Sequence, residues 1–126
     1  MAIHLDTHVL IWLSQRRARV LGTHAFQLAS RHDWIVSPAV LLELEILHGI
    51  KRLKVAPDQV FEAAREIGDL TLSTAAFDKV VRDARGLAWT RDPIDRLITA
   101  HAILDGAKLL TADQTILAHF KDAVWD

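Results

Sequence analysis

Apolar and polar positions follow two rhythms along this chain. Five short apolar runs read as strands: AIHL (2–5), WIVS (34–37), LTLS (70–73), KLLT (108–111) and AVW (123–125). Between them lie longer stretches with helical spacing, at 8–14, 20–31, 38–50, 58–67, 74–86, 93–105 and 113–120. The glycines Gly22, Gly49, Gly68, Gly86 and Gly106 are spread out, each near the end of an apolar segment, as helix C-caps or turns are. Strands that alternate with helices predict βαβ units and an α/β fold, with a parallel sheet covered on both faces. In such a sheet a ligand site forms beyond the carboxyl ends of the strands, so the polar residues at those ends matter most.

Composition narrows the reading. A length of 126 residues suits one domain over 1–126, and a hydrophobic fraction of 51% supplies its core. No run approaches the roughly 18 apolar residues of a membrane span. No basic segment precedes a long apolar stretch, as it would in an export signal, so no membrane role and a cytoplasmic location are expected. Zero cysteines exclude a disulfide scaffold, a thiolate metal site and a Cys nucleophile. With 15 basic and 16 acidic residues the net charge is −1. That balance marks no general nucleic-acid affinity, but a local basic patch can sit beside an acidic site.

Four acids are candidates for one site. Asp6 follows AIHL, at a strand's carboxyl end. It reads either as the N-cap of the next helix or as a metal ligand, alone or with His4 and His8. A His4–Asp6–His8 triplet would need the strand to run on to His8, whereas the apolar positions from Val9 to Leu13 favour a helix. Asp113 ends KLLTAD in the same way, with Thr111 as a rival capper. Asp92, Pro93 and Asp95 in RDPIDRLITAHAIL form a complete helix start, and both acids suit the positive end of the helix dipole. The rest of that helix is apolar on most sides, which puts Asp95 at the edge of the core. Glu43 is the most informative. On a wheel at 100° per residue it falls within the stripe of Ala39, Val40, Ile46, Leu47 and Ile50, while Glu45 falls opposite. A carboxylate on an apolar face is costly unless it pairs with an arginine or binds a cation.

If Asp6, Glu43, Asp95 and Asp113 converge, two of them about 4 Å apart repel by roughly 4 kcal/mol at an effective dielectric near 20. The group must then take up protons or hold a divalent cation. Oxygen-only ligands point to Mg²⁺ or Mn²⁺, and such an ion suits hydrolysis of a phosphodiester.

These pieces together resemble the PIN-domain ribonucleases, specifically the VapC-type toxins of toxin–antitoxin pairs. HLDTHVLIWL is similar to the family's first motif, with Asp6 as its acid. VSPAVLLELEI resembles the second, with Glu43. RDPIDRLITAHAI resembles the third, with Asp95 as principal acid and Asp92 as accessory. GAKLLTAD resembles the fourth, with Asp113. Leu42 and Ile94 stand where close relatives often have Trp and Phe, and both keep the position apolar. The resemblance implies a three-layer α/β/α sandwich around a central parallel sheet. It also implies Mg²⁺- or Mn²⁺-dependent endonuclease action on RNA, a homodimer, and a cognate antitoxin that blocks the acidic pocket. On that reading Asp6 and Asp95 bind the first ion, Asp113 and Glu43 bind a second or orient water, and Asp92 holds Asp95 in place. Thr7 and Thr111 support ligands or simply make turns.

Two basic clusters, Arg16, Arg17 and Arg19 and then Lys51, Arg52 and Lys54, either line a nucleic-acid path or face solvent. Of the tryptophans, Trp12, Trp34 and Trp125 have apolar neighbours that suit core or dimer packing. Trp89 is the candidate for a stacking or antitoxin contact. A phosphoacceptor receiver domain would need an Asp ending a central strand and a Lys just after a later one. LTLS ends without the Asp, and Lys108 precedes its strand. A dehalogenase-type phosphatase would need a second Asp where His8 stands. The remaining alternative is a non-catalytic PIN-like or receiver-like interaction module whose acids are caps.

Overall fold

The structure, a computed structural model, describes residues 1–17 and 19–126. The elements run β1 (Ala2–Leu5), α1 (Thr7–Ser14), α2 (Thr23–Arg31), β2 (Asp33–Val36), α3 (Pro38–Gly49), α4 (Pro57–Ile67), β3 (Leu70–Leu72), α5 (Phe77–Arg85), α6 (Pro93–Leu104), β4 (Leu109–Leu110), α7 (Gln114–His119) and β5 (Ala123–Val124). Every expected strand and helix is present, with shifts of a few residues at the ends.

The five strands form one sheet in the order β3-β2-β1-β4-β5, and every pairing is parallel. The chain lays β2 and β3 on one side of β1, then crosses to the other side for β4 and β5. The winding reverses between β1 and β4, where a crevice opens at the carboxyl ends of the strands. His4 lies opposite Leu109 and Leu5 opposite Leu110, so the residues that follow both strands emerge side by side. The sheet is the middle layer of an α/β/α arrangement, in which α1 packs on α4 and α5 on α6. Ile3, Leu5, Leu10, Leu44, Ile98, Leu109 and Leu110 are fully buried around it. Burial of each such side chain stabilises the fold by about 1.5–3 kcal/mol. Among the described residues no helix is long and apolar enough to cross a membrane.

The boundaries that moved have local causes. The helix expected from residue 20 begins at Thr23 because Gly22 is its N-cap. Gly22 brings no capping side chain. The carboxylate of Asp126 takes that place, accepting from Ala25 N–H at 3.1 Å, in space that a Cβ on Gly22 would occupy. The helix expected from residue 74 begins at Phe77, since Ser73 first makes a turn, its hydroxyl accepting from Ala75 N–H at 3.3 Å. The apolar stripe drawn for α3 is only half correct. Val40 and Leu44 are its buried residues, whereas Ile46 and Ile50 are 47% and 57% exposed. A helix apolar at most positions has no single stripe to read, and Glu43 lies half-buried on a face that the fold leaves partly open.

Candidate active site

Three of the candidate acids, Asp6, Asp92 and Asp113, sit where a helix begins. Asp6 is the N-cap of α1: its Oδ1 accepts from Thr7 N–H at 2.8 Å. Its Oδ2 accepts from the Thr111 hydroxyl at 2.6 Å, and the residue is buried. Asp113 caps α7, accepting from Thr115 N–H at 2.8 Å and Ile116 N–H at 3.0 Å. Its own N–H donates to the Thr111 hydroxyl at 3.0 Å. Asp92 caps α6, accepting from Ile94 N–H at 2.9 Å and Asp95 N–H at 3.3 Å, which fixes the turn that carries Asp95. Glu43 stands on the second turn of α3 and accepts from the Thr7 hydroxyl. The capping role and the convergence therefore coexist: the residues that start the helices also turn acid groups toward one another.

Asp6, Glu43, Asp95 and Asp113 line a single cavity of about 310 Å³, with Asp92, His8 and Trp12 at its walls. Among the described residues, no lysine or arginine forms an ion pair with any of the four. The alternative of a Glu43–Arg pair is therefore not what the structure contains.

The charges feel each other. Burial, followed by the fields of Asp92, Asp6, Asp113 and Glu43, pushes the Asp95 carboxyl up to about 7. Burial also raises Asp6, against the lowering effect of the hydrogen bonds from Thr111 and Thr7. Glu43 is raised by burial and by Asp6 and Asp92, while the Thr7 hydroxyl and His8 pull it down. This is the behaviour of carboxylates gathered without a counter-charge. Among the described residues no three His, Asp or Glu side chains close tightly enough to cage an ion by themselves. Mg²⁺ keeps several waters and takes only one or two carboxylates directly, so it does not need such a cage. The oxygen-only donor set likewise fits Mg²⁺ or Mn²⁺.

The His4–Asp6–His8 triplet does not form. The helix starts at Thr7, which ends the strand's alternation before His8. His4 is fully buried, and its Nε2 lies 2.7 Å from Asp105 Oδ2. Asp105 also accepts from the Ser73 hydroxyl at 2.8 Å. His8 instead stands one helical turn before Trp12, their rings 6.0 Å apart, and both border the acidic cavity. His8 thus stays beside Asp6 without the strand geometry the triplet needs, and Trp12 is the residue not expected here, though its i, i+4 spacing from His8 is a usable signal. Trp89 does not border the cavity. It stacks on His119 at 5.3 Å in a separate hollow. Trp34 is a core residue, as expected, with Nε1–H donating to Ala29 O at 2.8 Å.

Solved structures share this fold. The chain is similar to VapBC2 from Rickettsia felis, crystallised with a DNA fragment from its promoter, with a TM-score of 0.62 and 18% identity over 100% of both chains. It is similar to VapBC-1 from nontypeable Haemophilus influenzae, with a TM-score of 0.65 and 19% identity over 100% of this chain and 97% of that one. A toxin–antitoxin complex from Klebsiella pneumoniae gives 0.62 and 17% over 97% and 95%. No curated protein sequence matches. The sequence profile described as "PIN domain" matches residues 3–122, a stretch that takes in β2, β3, β4, most of β1 and all four acids, and on that match the chain belongs to the PIN-domain family.

Proposed function

We propose that residues 1–126 form one PIN nuclease domain, a metal-dependent endoribonuclease that is the toxin of a toxin–antitoxin pair. The observation that carries this reading is the convergence of Asp6, Glu43, Asp95 and Asp113 on one cavity of about 310 Å³ at the switch point of the sheet. Family membership supports the nuclease class. The toxin–antitoxin complexes among the similar structures support an antitoxin partner. Homodimer assembly and a cytoplasmic location belong to the same reading.

Asp6 and Asp95 would be the principal ligands for Mg²⁺ or Mn²⁺. When bound, such an ion lowers the pKa of a water and neutralises charge on the phosphate. Thr111 and Thr7 hold Asp6 by its two carboxylate oxygens and leave little freedom to its rotamer. Glu43 and Asp113, which line the same cavity, would orient water or complete a second ion's surroundings. Asp92 fixes the first turn of α6 and with it the position of Asp95. Hydrolysis in this arrangement leaves a 5′-phosphate and a 3′-hydroxyl.

The test is incubation of the purified protein with RNA, with and without Mn²⁺ or Mg²⁺, followed by sequencing of the new ends. The parent should cleave only with the ion. Asp6→Asn should not cleave, while its amide oxygen still caps α1 and its circular dichroism is unchanged. Equal cleavage by Asp6→Asn would overturn the assignment. A second reading has one observation in its favour: Asp6, Asp92 and Asp113 all do cap helices, as in a non-catalytic interaction module. Thermal melting separates the two, because Mn²⁺ should stabilise a nuclease pocket and leave a module's melting temperature where it was.

A further inference from the structure

Helices α1 and α3 end in the same way. After α1, Arg16 N–H donates to Leu13 O at 3.1 Å and Arg17 N–H to Trp12 O at 2.9 Å. After α3, Lys51 N–H donates to His48 O at 3.1 Å and Arg52 N–H to Leu47 O at 2.9 Å. Both are Schellman turns, whose left-handed position glycine fills most easily. Here that position holds Arg16 at φ +56° and Lys51 at φ +64°. Each turn therefore delivers an arginine, Arg17 or Arg52, at the equivalent next residue.

The two arginines face one cavity. Arg17, Arg52 and Lys54 line one cavity of about 650 Å³. Among the described residues none of the three is in an ion pair. His8, Trp12 and Glu43 line this cavity and also the acidic one, so the two are neighbours across a shared wall. Trp12 is half-buried and His8 exposed, which leaves aromatic surface at that wall. A row of cations beside an aromatic platform is the chemistry that holds single-stranded nucleic acid, by phosphate contact and base stacking.

We propose that Arg17, Arg52 and Lys54 form a phosphate-binding cleft that holds the RNA backbone on one side of the scissile bond, with Trp12 as the stacking surface between cleft and acids. The inference rests on the endoribonuclease reading. RNA is favoured over an acidic protein segment as occupant because the cleft runs directly into a carboxylate site, which an acidic peptide would be repelled from entering.

The test uses the full chain carrying Asp6→Asn, so that RNA is bound and not consumed. Affinity for a single-stranded oligonucleotide is measured against salt concentration, with Arg17→Gln, Arg52→Gln, Lys54→Gln and the triple variant. Each single change should lower the slope of log K against log salt by about 0.7, and the triple by about 2. Lys79→Gln, remote on α5, should leave the slope alone. With Asp6 restored, the same cleft substitutions should leave the Mn²⁺-induced rise in melting temperature in place, which separates the cleft from the metal site. An unchanged slope in the triple variant overturns the proposal. So does a triple variant that keeps its RNA affinity but loses affinity for a Glu-rich peptide, which would assign the cleft to a protein partner. If the wild-type chain shows no cleavage while the slope still falls with each variant, the cleft stands and the nuclease reading fails.

Discussion

The Thr111 hydroxyl donates to Asp6 Oδ2 at 2.6 Å and accepts from Asp113 N–H at 3.0 Å. One buried side chain thus joins the residues that follow β1 and β4, the two strands between which the sheet's winding reverses. Thr111→Val removes the hydroxyl at constant shape. It should weaken Mn²⁺ affinity about 10–100-fold while leaving the fold intact, and Thr111→Ser should restore it. Calorimetric titration reads both. Equal affinity in the valine variant would reduce Thr111 to a turn residue.

The raised Asp95 carboxyl makes stability depend on pH in a definite direction. Below the unfolded value near 3.8 both states are protonated and the group contributes nothing. Between there and about 7 the folded protein holds the proton more tightly, so stability falls as pH rises, and above 7 the full cost is present. Without metal, Asp95→Asn should therefore melt at the parent's temperature near pH 4 and above it at pH 8. Saturating Mn²⁺ should raise the parent's melting temperature at pH 8 and not that of the variant. A parent as stable as Asp95→Asn at pH 8 would show that the carboxylates do not strain one another.

His4 acts with the opposite sign. Burial lowers its pKa, against the raising effect of the Asp105 hydrogen bond and charge. As pH falls below 6.5 the unfolded chain takes up the proton first, so stability present above 6.5 is lost toward acid. His4→Asn should flatten the melting curve between pH 5 and 7. Asp105→Ala leaves Nε2 buried without its acceptor and should cost about 1–3 kcal/mol in denaturant unfolding at pH 7.5. No change in either variant would mean that water replaces the carboxylate.

Lys51 holds a left-handed conformation, φ +64°, that costs a side chain about 1–2 kcal/mol and glycine almost nothing. Its charge at a helix C-terminus offsets about 0.3–1 kcal/mol of that. Lys51→Gly should therefore gain about 0.5–1 kcal/mol in urea unfolding. A loss would show that the lysine makes a stabilising contact.

Much of this molecule was readable from the chain because local and global signals agree. β1 is a short apolar run ended by a capping acid, and α6 opens with Asp92, Pro93 and Asp95 in sequence, so both segments carry their own boundaries. The place of Asp6, Asp95 and Asp113 followed from strand ends in a parallel sheet. What stayed hidden depends on contacts between distant segments. Asp105 is an acid at the C-terminal end of α6, unfavourable for the dipole there. Its pairing with His4, 101 positions away, and with Ser73, 32 positions away, accounts for it. The exposure of Ile46 and Ile50 depends on where α3 leaves the sheet, which its own uniform hydrophobicity does not encode. Trp12 packs against the core, as its apolar neighbours predict, but it also borders the acidic cavity, a second role that only the placing of α1 beside the other acid-bearing segments reveals.

The strand order has a temporal side. β1 is the first strand made and β4 the fourth, yet they lie next to each other at the centre of the sheet. A growing chain carries Asp6 early, with nothing to face it. Until β4 emerges and slots in beside β1, Thr111 and Asp113 are missing and the acid pocket does not exist. Whatever chemistry the pocket performs is withheld from every copy that stops short of Asp113, so it requires the chain to be made through β4.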